Sequence, residues 1–345
     1  MSNYLNSIQR NVVIPALILI AALGVRMAHA GDLVVAGYGG IWEESLRQCA
    51  IAAFEKKTGK SVDFVLGSPS QWLNQVAASP GKPPIDIMYM PPDNALDAAK
   101  RGLVDKVDAG RAPHLKEIPA RFIDSVDGYG AATNYGAMGA VYNTKTVPNR
   151  PKTWKDFVEG TVAGKWKAAV PSINYVGGVY TLWMYSHLYG GSAANVAPGL
   201  AQIKRMMASG NLKLWVDPNQ LLNDLKSGEV DIAMYWDGRA WAFIDSNPEF
   251  NYYTPQDSIM LAAHIQKVKG GSDLAWQFID VAMSAEPQAC FGNKMRQGVT
   301  NKNVVYDAKV KPKITDLSLV VLPPAKELAL HLPQWVEQWN KEIGR

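Results

Sequence analysis

The side chains best suited to proton transfer near neutral pH are histidines, and four of them follow residue 30. They are His114, His187, His264 and His331. None lies in an H-E-x-x-H pattern, no serine lies in a G-x-S-x-G pattern, and no cluster of cysteine and histidine has metal-ligand spacing. The sequence therefore predicts no catalytic residue, no metal site and no cofactor.

Aromatic residues recur where predicted strands end. They are Tyr38, Trp42, Tyr135, Tyr175 and Trp236. Rigid rings provide contact area with little loss of rotamer entropy, and they stack on flat or cationic ligands. Any one of them alone is more often a core residue. Because several lie in loops at one edge of a sheet, we expect them to line a ligand cleft.

Polar groups lie at the same turns. The backbone N–H groups of Gly39 and Gly40 either bind a carboxylate or phosphonate or form a tight turn only. Asp93 and Asp237 lie at loop tips, where an aspartate is either a cleft carboxylate or a turn and N-cap residue. The glycine turn does not complete G-x-G-x-x-G, because Trp42 occupies the sixth position, so we expect no dinucleotide site.

The elements that position these residues alternate between strand and helix. Strands are predicted at residues 33–36, 61–66, 85–90, 137–142, 167–170, 214–216, 230–235 and 259–263. Helices are predicted at residues 42–57, 95–101, 177–188, 197–209, 219–227, 272–283, 286–294 and 325–343, the last interrupted near Pro333, with another starting near Thr153. This order indicates an α/β fold with parallel strands, in which ligands bind at the carboxyl ends of strands.

Residues 1–30 have the features of a secretory signal peptide. Arg10 precedes an uncharged, mostly apolar run at residues 12–25, and residues 28–30 have the A-x-A form of a cleavage site. We expect cleavage after Ala30 and a soluble periplasmic protein; a retained N-terminal anchor is the alternative. The formal net charge is +4, and removing residues 1–30, which carry two arginines and no acids, leaves +2. This balance argues against binding to nucleic acid.

The two cysteines, Cys49 and Cys290, are far apart in the sequence. Export to an oxidising compartment permits one long-range disulfide, and two buried free thiols are the alternative.

Several short motifs in a characteristic order resemble those of periplasmic substrate-binding proteins of ABC importers, in the branch of the spermidine/putrescine-binding proteins. The motifs are at residues 38–44, 54–59, 140–143, 153–154, 227–230, 235–240, 274–280 and 300–301. The resemblance covers nearly the whole chain after residue 30. It implies a two-lobed type II fold with a ligand cleft at the hinge, with lobes at residues 31–135 plus 245–308 and at residues 136–244 plus 309–345.

The same resemblance implies roles for individual residues. Tyr38, Asp93 and Trp236 occupy positions that contact ligand in this family, and Gln297 falls where a tyrosine is common. Family members that bind polyamines hold the ammonium groups with carboxylates, because a buried cation needs a paired anion. The corresponding residues of this chain carry no carboxylate. They are Ser172, Tyr175 and His264. A neutral, zwitterionic, monocationic or anionic ligand is therefore expected.

The expected function is capture of a small organic solute in the periplasm and its delivery to the membrane permease of an ABC importer, by a monomer without enzymatic activity. Two alternatives remain open. One is a secreted two-lobe α/β hydrolase or transferase, and the other is a periplasmic ligand sensor.

Overall fold

The computed structural model describes residues 31–344. The predicted signal peptide at residues 1–30 lies outside this range. Within residues 31–344, no helix has both the length and the apolar character needed to cross a membrane.

Strands and helices alternate along most of the described chain. The strands are β1 Leu33–Gly37, β2 Val62–Leu66, β3 Ile87–Met90, β4 Ala131–Asn143, β5 Ala168–Pro171, β6 Leu212–Trp215, β7 Ile232–Trp236, β8 Phe250–Tyr253, β9 Ser258–Lys267, β10 Gly298–Val299 and β11 Val320–Val321. The helices are α1 Ile41–Leu46, α2 Ala52–Thr58, α3 Pro69–Ala77, α4 Pro92–Lys100, α5 Arg121–Asp124, α6 Trp154–Val162, α7 Val176–Leu188, α8 Ala197–Ala208, α9 Pro218–Ser227, α10 Asp237–Ile244, α11 Leu274–Met283, α12 Ala285–Met295 and α13 Ala325–Glu342. A π-helical turn, Arg47–Ile51, joins α1 and α2 into one continuous helix.

The strands form one mixed sheet in the order β2, β1, β3, β9, β4, β7, β5, β6. Strands β1, β2 and β3 run parallel to one another at one end, and β5, β6 and β7 run parallel at the other. The two long strands between them, β4 and β9, are antiparallel to each other and to their neighbours β7 and β3. The predicted α/β class is confirmed, with two parallel groups joined by an antiparallel pair.

Strand β4 contacts both parallel groups through different halves. Its residues 131–138 pair with β9, whereas its residues 138–142 pair with β7 and its last residues pair with β8. One continuous strand therefore fixes the distance between the carboxyl ends of the two groups, which is where a ligand site is expected.

Three apolar clusters surround the sheet. One packs α6 to α10 and α13 around β5, β6, β7 and the second half of β4. The other two cover opposite sides of the first parallel group, with α1, α2, α11 and α12 on one side and α3 and α4 on the other. The lobe boundaries expected from the sequence stay a prediction.

Local signals account for several helix ends. Gly59 ends α2 as predicted, with a φ of 69° in the left-handed region that favours glycine. Ser68 and Thr153 cap α3 and α6 through reciprocal hydrogen bonds with the third helical residue. The predicted interruption near Pro333 is wrong, because α13 continues through this proline.

A disulfide joins Cys49, in the π-helical turn, to Cys290 on α12. The Cα atoms are 5.6 Å apart, within the usual range for a disulfide. The choice left open by the sequence is thereby decided in favour of the long-range cross-link, which ties the first helix to a segment 241 residues later.

Candidate functional site

A cavity of about 190 Å³ lies where the carboxyl ends of the two parallel groups meet. The residues that follow or end β1, β3, β5 and β7 line it, together with residues in the middle of β4 and β9 and at the end of α12. These residues are Tyr38, Ile41, Trp42, Pro91, Asn134, Gly136, Tyr175, Trp236, Arg239, Leu261, Ala262, Ala263, Met295 and Gln297. The expected meeting of strand ends at one cleft is thus present.

Aromatic side chains form two walls of the cavity. Tyr38 and Trp42 pack edge to face, with ring centroids 5.2 Å apart. On the facing group, the indole Nε1–H of Trp236 donates a hydrogen bond to Tyr175 Oη over 2.9 Å. Because this bond immobilises both rings, the wall is shaped before a ligand arrives.

Arg239 brings a positive charge to the cavity. It lies in the first turn of α10 and is partly buried on the wall, near the phenols of Tyr175 and Tyr235. Among residues 31–344, no carboxylate forms an ion pair with Arg239, and no carboxylate lines the cavity. A partly buried guanidinium without an anion favours binding of a carboxylate, phosphonate or phosphate.

Two amide side chains lie on the same wall. Asn134 Nδ2 donates to Gln297 Oε1 over 3.2 Å, and Gln297 Nε2 donates to Asp237 Oδ1 over 3.1 Å. The oxygen of Asn134 accepts a hydrogen bond from the hydroxyl of Thr133. These bonds fix both amides at the cavity surface.

Asp237 lies behind this wall and does not line the cavity. It is fully buried, and its two oxygens accept four hydrogen bonds. The donors are the backbone N–H groups of Ala137 and Gly238 and the side chains of Gln297 and Thr315. Burial raises the pKa of Asp237 to about 6, against the opposing effect of these donors.

Asp93 also lies beside the cavity, not on its wall. It stands in the first turn of α4 and accepts a hydrogen bond of 2.8 Å from the hydroxyl of Tyr180 on α7. Burial raises the pKa of Asp93, and the bond from Tyr180 opposes that change. Burial raises the pKa of Tyr38, and the nearby Asp93 carboxylate raises it further.

The remaining predicted residues divide between the turn and the interior. Gly39 and Gly40 form the turn between Tyr38 and Ile41, and Gly40 has a φ of 69°. Tyr135 stacks on Phe122 inside the core, with ring centroids 5.7 Å apart.

Ser172 and His264 are buried away from the cavity wall. His264 Nε2 lies 3.0 Å from Ser125 Oγ, and burial lowers the pKa of His264 to about 4.

Sequence reasoning missed part of the wall. The missed residues are Ile41, Pro91, Asn134, Gly136, Arg239, Leu261, Ala262, Ala263 and Met295. The sequence contains a signal for Arg239. It stands three residues after Trp236, so on a helix it lies one turn further along the same face. The sequence contains no such signal for the apolar residues of β9, since their pattern is that of an ordinary strand.

The sequence model of a family described as "Bacterial extracellular solute-binding protein" matches residues 39–289. The chain belongs to this family. As a member of this family it is a solute-binding protein whose partner is a small-molecule ligand, as expected from the sequence. The extracellular location named in the family description agrees with the export expected from the sequence. The narrower assignment to the spermidine/putrescine branch stays a prediction.

Similar proteins agree with this assignment. A curated relative from Salmonella typhimurium, named "Putative 2-aminoethylphosphonate-binding periplasmic protein", is 21% identical over 279 residues, which are 77% of this chain and 79% of the relative. The crystal structure of a "putative extracellular solute-binding protein" from Bordetella parapertussis has a TM-score of 0.81 and 27% identity, covering 90% of this chain and 98% of that one. A binding protein from Agrobacterium tumefaciens R10 in complex with agropinic acid shares the fold, with a TM-score of 0.73 and 19% identity over 91% of this chain and 98% of that one.

Within residues 31–344, no group of three or more His, Cys, Asp or Glu side chains is placed to hold a metal ion. The cavity wall of the extracellular solute-binding protein consists of rings, amides, apolar side chains and one guanidinium.

Proposed function

We propose that the protein captures a small anionic or zwitterionic organic solute that carries a carboxylate or phosphonate, and delivers it to the permease of an ABC importer. The observation that carries this proposal is Arg239. It is the one charged side chain on the cavity wall that residues 31–344 form, and it has no carboxylate partner there. A ligand with an acidic group would neutralise it, whereas a polyamine would meet a like charge.

The relatives support the same ligand class. The Salmonella relative is named for 2-aminoethylphosphonate, which carries a phosphonate and an amine. The Agrobacterium protein was crystallised with agropinic acid. Both ligands carry an acidic group, which Arg239 would bind in this chain.

We assign to the site the rings of Tyr38, Trp42, Tyr175 and Trp236, and the Gln297 amide. The turn at residues 39–40 and the half-buried Asp93 lie beside these rings, and the buried Asp237 holds Gln297 from behind the wall. The two lobes predicted from the sequence would close over the ligand and exclude water, so that the charged contact strengthens in the closed form.

Capture without covalent chemistry is part of the proposal. Ser125 and His264 are close enough to act as nucleophile and base, which is the observation that favours the alternative of an enzyme. However, no side chain of the described residues hydrogen bonds to His264 Nδ1, and neither residue lines the cavity. A hydrolase would need an orienting group and a substrate site at that pair.

The test is isothermal titration calorimetry on the protein recovered after export to the periplasm, with 2-aminoethylphosphonate, amino acids and spermidine as ligands. We expect binding of at least one carboxylate or phosphonate and weak or no binding of spermidine. Arg239→Met keeps the volume of the side chain and removes its charge. It should weaken binding of the acidic ligand by roughly 10- to 100-fold, as expected for a hydrogen-bonded charge.

A matched control is Arg205→Met, because Arg205 pairs with Glu159 on the outer surface, away from the cavity. Trp236→Ala should abolish binding and leave the fold intact. Submicromolar affinity for spermidine, or unchanged affinity for the acidic ligand in Arg239→Met, would contradict the proposal. Mass spectrometry of the recovered ligand decides the enzyme alternative, since capture returns it unaltered.

A further inference from the structure

The amide of Gln297 is held in a slot that leaves no room for another side chain. Strand β4 borders the slot at Gly136, where an added Cβ atom would lie 2.6 Å from Gln297 Nε2 and 3.0 Å from Asp237 Oδ1. Helix α10 borders it at Gly238, where a Cβ atom would lie 2.8 Å from Gln297 Cγ. Two glycines on separate elements therefore admit this one amide into contact with a buried carboxylate.

The carboxylate decides which way the amide is oriented. An ionised Asp237 accepts hydrogen bonds and donates none, so the group of Gln297 that faces it must be the NH₂ group. The Gln297 oxygen then faces Asn134, and the group that Asn134 presents to it must also be NH₂. The remaining oxygen, on Asn134, faces the Thr133 hydroxyl, whose single hydrogen is shared between this oxygen and the backbone oxygen of Ala263. The negative charge of Asp237 therefore sets which end of each amide in this series of hydrogen bonds is the donor.

Each NH₂ group carries two hydrogens, and these hydrogen bonds use one hydrogen of each group. Within the part of the chain that the structure describes, neither Asn134 Nδ2 nor Gln297 Nε2 makes a second hydrogen bond. Both residues line the cavity that Arg239 also lines. Two residues of the wall thus each have an N–H without a partner among the described residues, beside a guanidinium.

We propose that Asp237 is a positioning residue for ligand specificity, which orients the amides of Gln297 and Asn134 as hydrogen-bond donors so that the cavity selects an anionic group over a neutral or cationic one. This inference rests on the proposed function and names the residue that sets its selectivity. Asp237 acts through Gln297 without touching the ligand.

The experiment compares two probes of similar length, 2-aminoethylphosphonate and 2-aminoethanol, by calorimetry on the full protein. The readout is the ratio of their dissociation constants, which a general loss of stability would not alter. Asp237→Asn removes the charge that orients the chain and should reduce the preference for the phosphonate by roughly 10-fold or more. Gln297→Glu, which puts an acceptor on the wall, should reduce it by roughly 100-fold.

Thr315→Val is the matched control. Thr315 donates to Asp237 Oδ2, on the side away from Gln297, so its loss perturbs the same carboxylate but leaves the chain of amides intact. It should lower the unfolding midpoint and preserve the wild-type ratio. Circular dichroism and thermal unfolding establish which variants fold.

The outcomes separate the two proposals. If the wild-type protein binds neither 2-aminoethylphosphonate nor any of the amino acids better than 2-aminoethanol, selection of an anionic group fails, and the proposed function fails with it. If the wild type has the preference and a folded Asp237→Asn keeps it, only the role of Asp237 is overturned. Should Asp237→Asn not fold, an unchanged ratio in Gln297→Glu overturns the inference instead.

Discussion

The hydrogen bond between Tyr180 and Asp93 links two helices that pack on different parts of the sheet. Tyr180 lies on α7 in the cluster around β5 and β7, whereas α4, which carries Asp93, packs against the first parallel group. Burial and the neighbouring Asp93 carboxylate keep the pKa of Tyr180 well above its ordinary value, so the phenol remains a donor. We predict that this bond stabilises the closed form, because opening of the cleft would separate α4 from α7.

The expected magnitude follows from the geometry. The oxygen atoms are 2.8 Å apart, and Tyr180 is 2% exposed, so the bond is well formed and shielded from water. A hydrogen bond to a charged group contributes about 1.5–3 kcal/mol. If Tyr180→Phe removes it from the closed form only, ligand affinity falls by roughly 10- to 150-fold, since about 1.4 kcal/mol corresponds to ten-fold.

The assay is calorimetry for affinity, with stopped-flow tryptophan fluorescence for the rates. We expect most of the loss in faster ligand dissociation, because the bond forms after the ligand has entered.

Tyr185→Phe is the matched control on the same helix. Tyr185 is fully buried, and its hydroxyl has no hydrogen-bond partner among the described residues, so the same atom is removed without breaking a bond. The reasoning is refuted if Tyr180→Phe binds ligand as tightly as the wild type, or if both variants lose affinity equally.

Two further predictions concern stability. Burial lowers the pKa of His264 from 6.5 to about 4, so the unfolded chain takes up a proton before the folded one as the pH falls, and stability is lost between about pH 6.5 and 4. At about 1.4 kcal/mol per pH unit, His264 lowers the free energy of unfolding by roughly 2.5 kcal/mol at pH 4.5. In urea titrations, the free energy of unfolding of His264→Gln should therefore fall less steeply with decreasing pH than that of the wild type. Equal slopes in the two proteins would contradict this. Replacing both Cys49 and Cys290 by alanine should lower the free energy of unfolding by roughly 2–5 kcal/mol in urea titrations, because the unfolded chain loses a cross-link over 241 residues; an equal midpoint in wild type and variant would count against it.

Much of the fold was predictable from local patterns. The apolar run at residues 33–36 ends at a glycine turn and is followed by a helix that ends at Gly59, and the structure has these elements with bounds shifted by one residue at most. Such signals depend on residues within one or two turns of each other. Helices α3, α5 and α10 were missed. Polar residues interrupt α3, α5 is only four residues long, and α10 directly continues strand β7.

The cavity was predictable in part. Tyr38 and Trp236 follow or end a strand, so the rule that ligands bind at carboxyl ends of parallel strands placed them without knowledge of the topology. Asp237 satisfied the same rule but lies behind the wall. Its position depends on Ala137, 100 residues away, and no local pattern records such a partner.

The sequence by itself determined the class of fold, the aromatic character of the cleft and the absence of a recognisable catalytic motif. These properties follow from local periodicity and residue type. The polarity of the cleft came only with the tertiary structure. It arises where Asn134, Gln297 and Asp237 meet, at sequence separations of 60 and 163 residues. A hydrogen bond has a direction and a length, and only the paired strands bring such distant groups to the distance at which one carboxylate can orient the others.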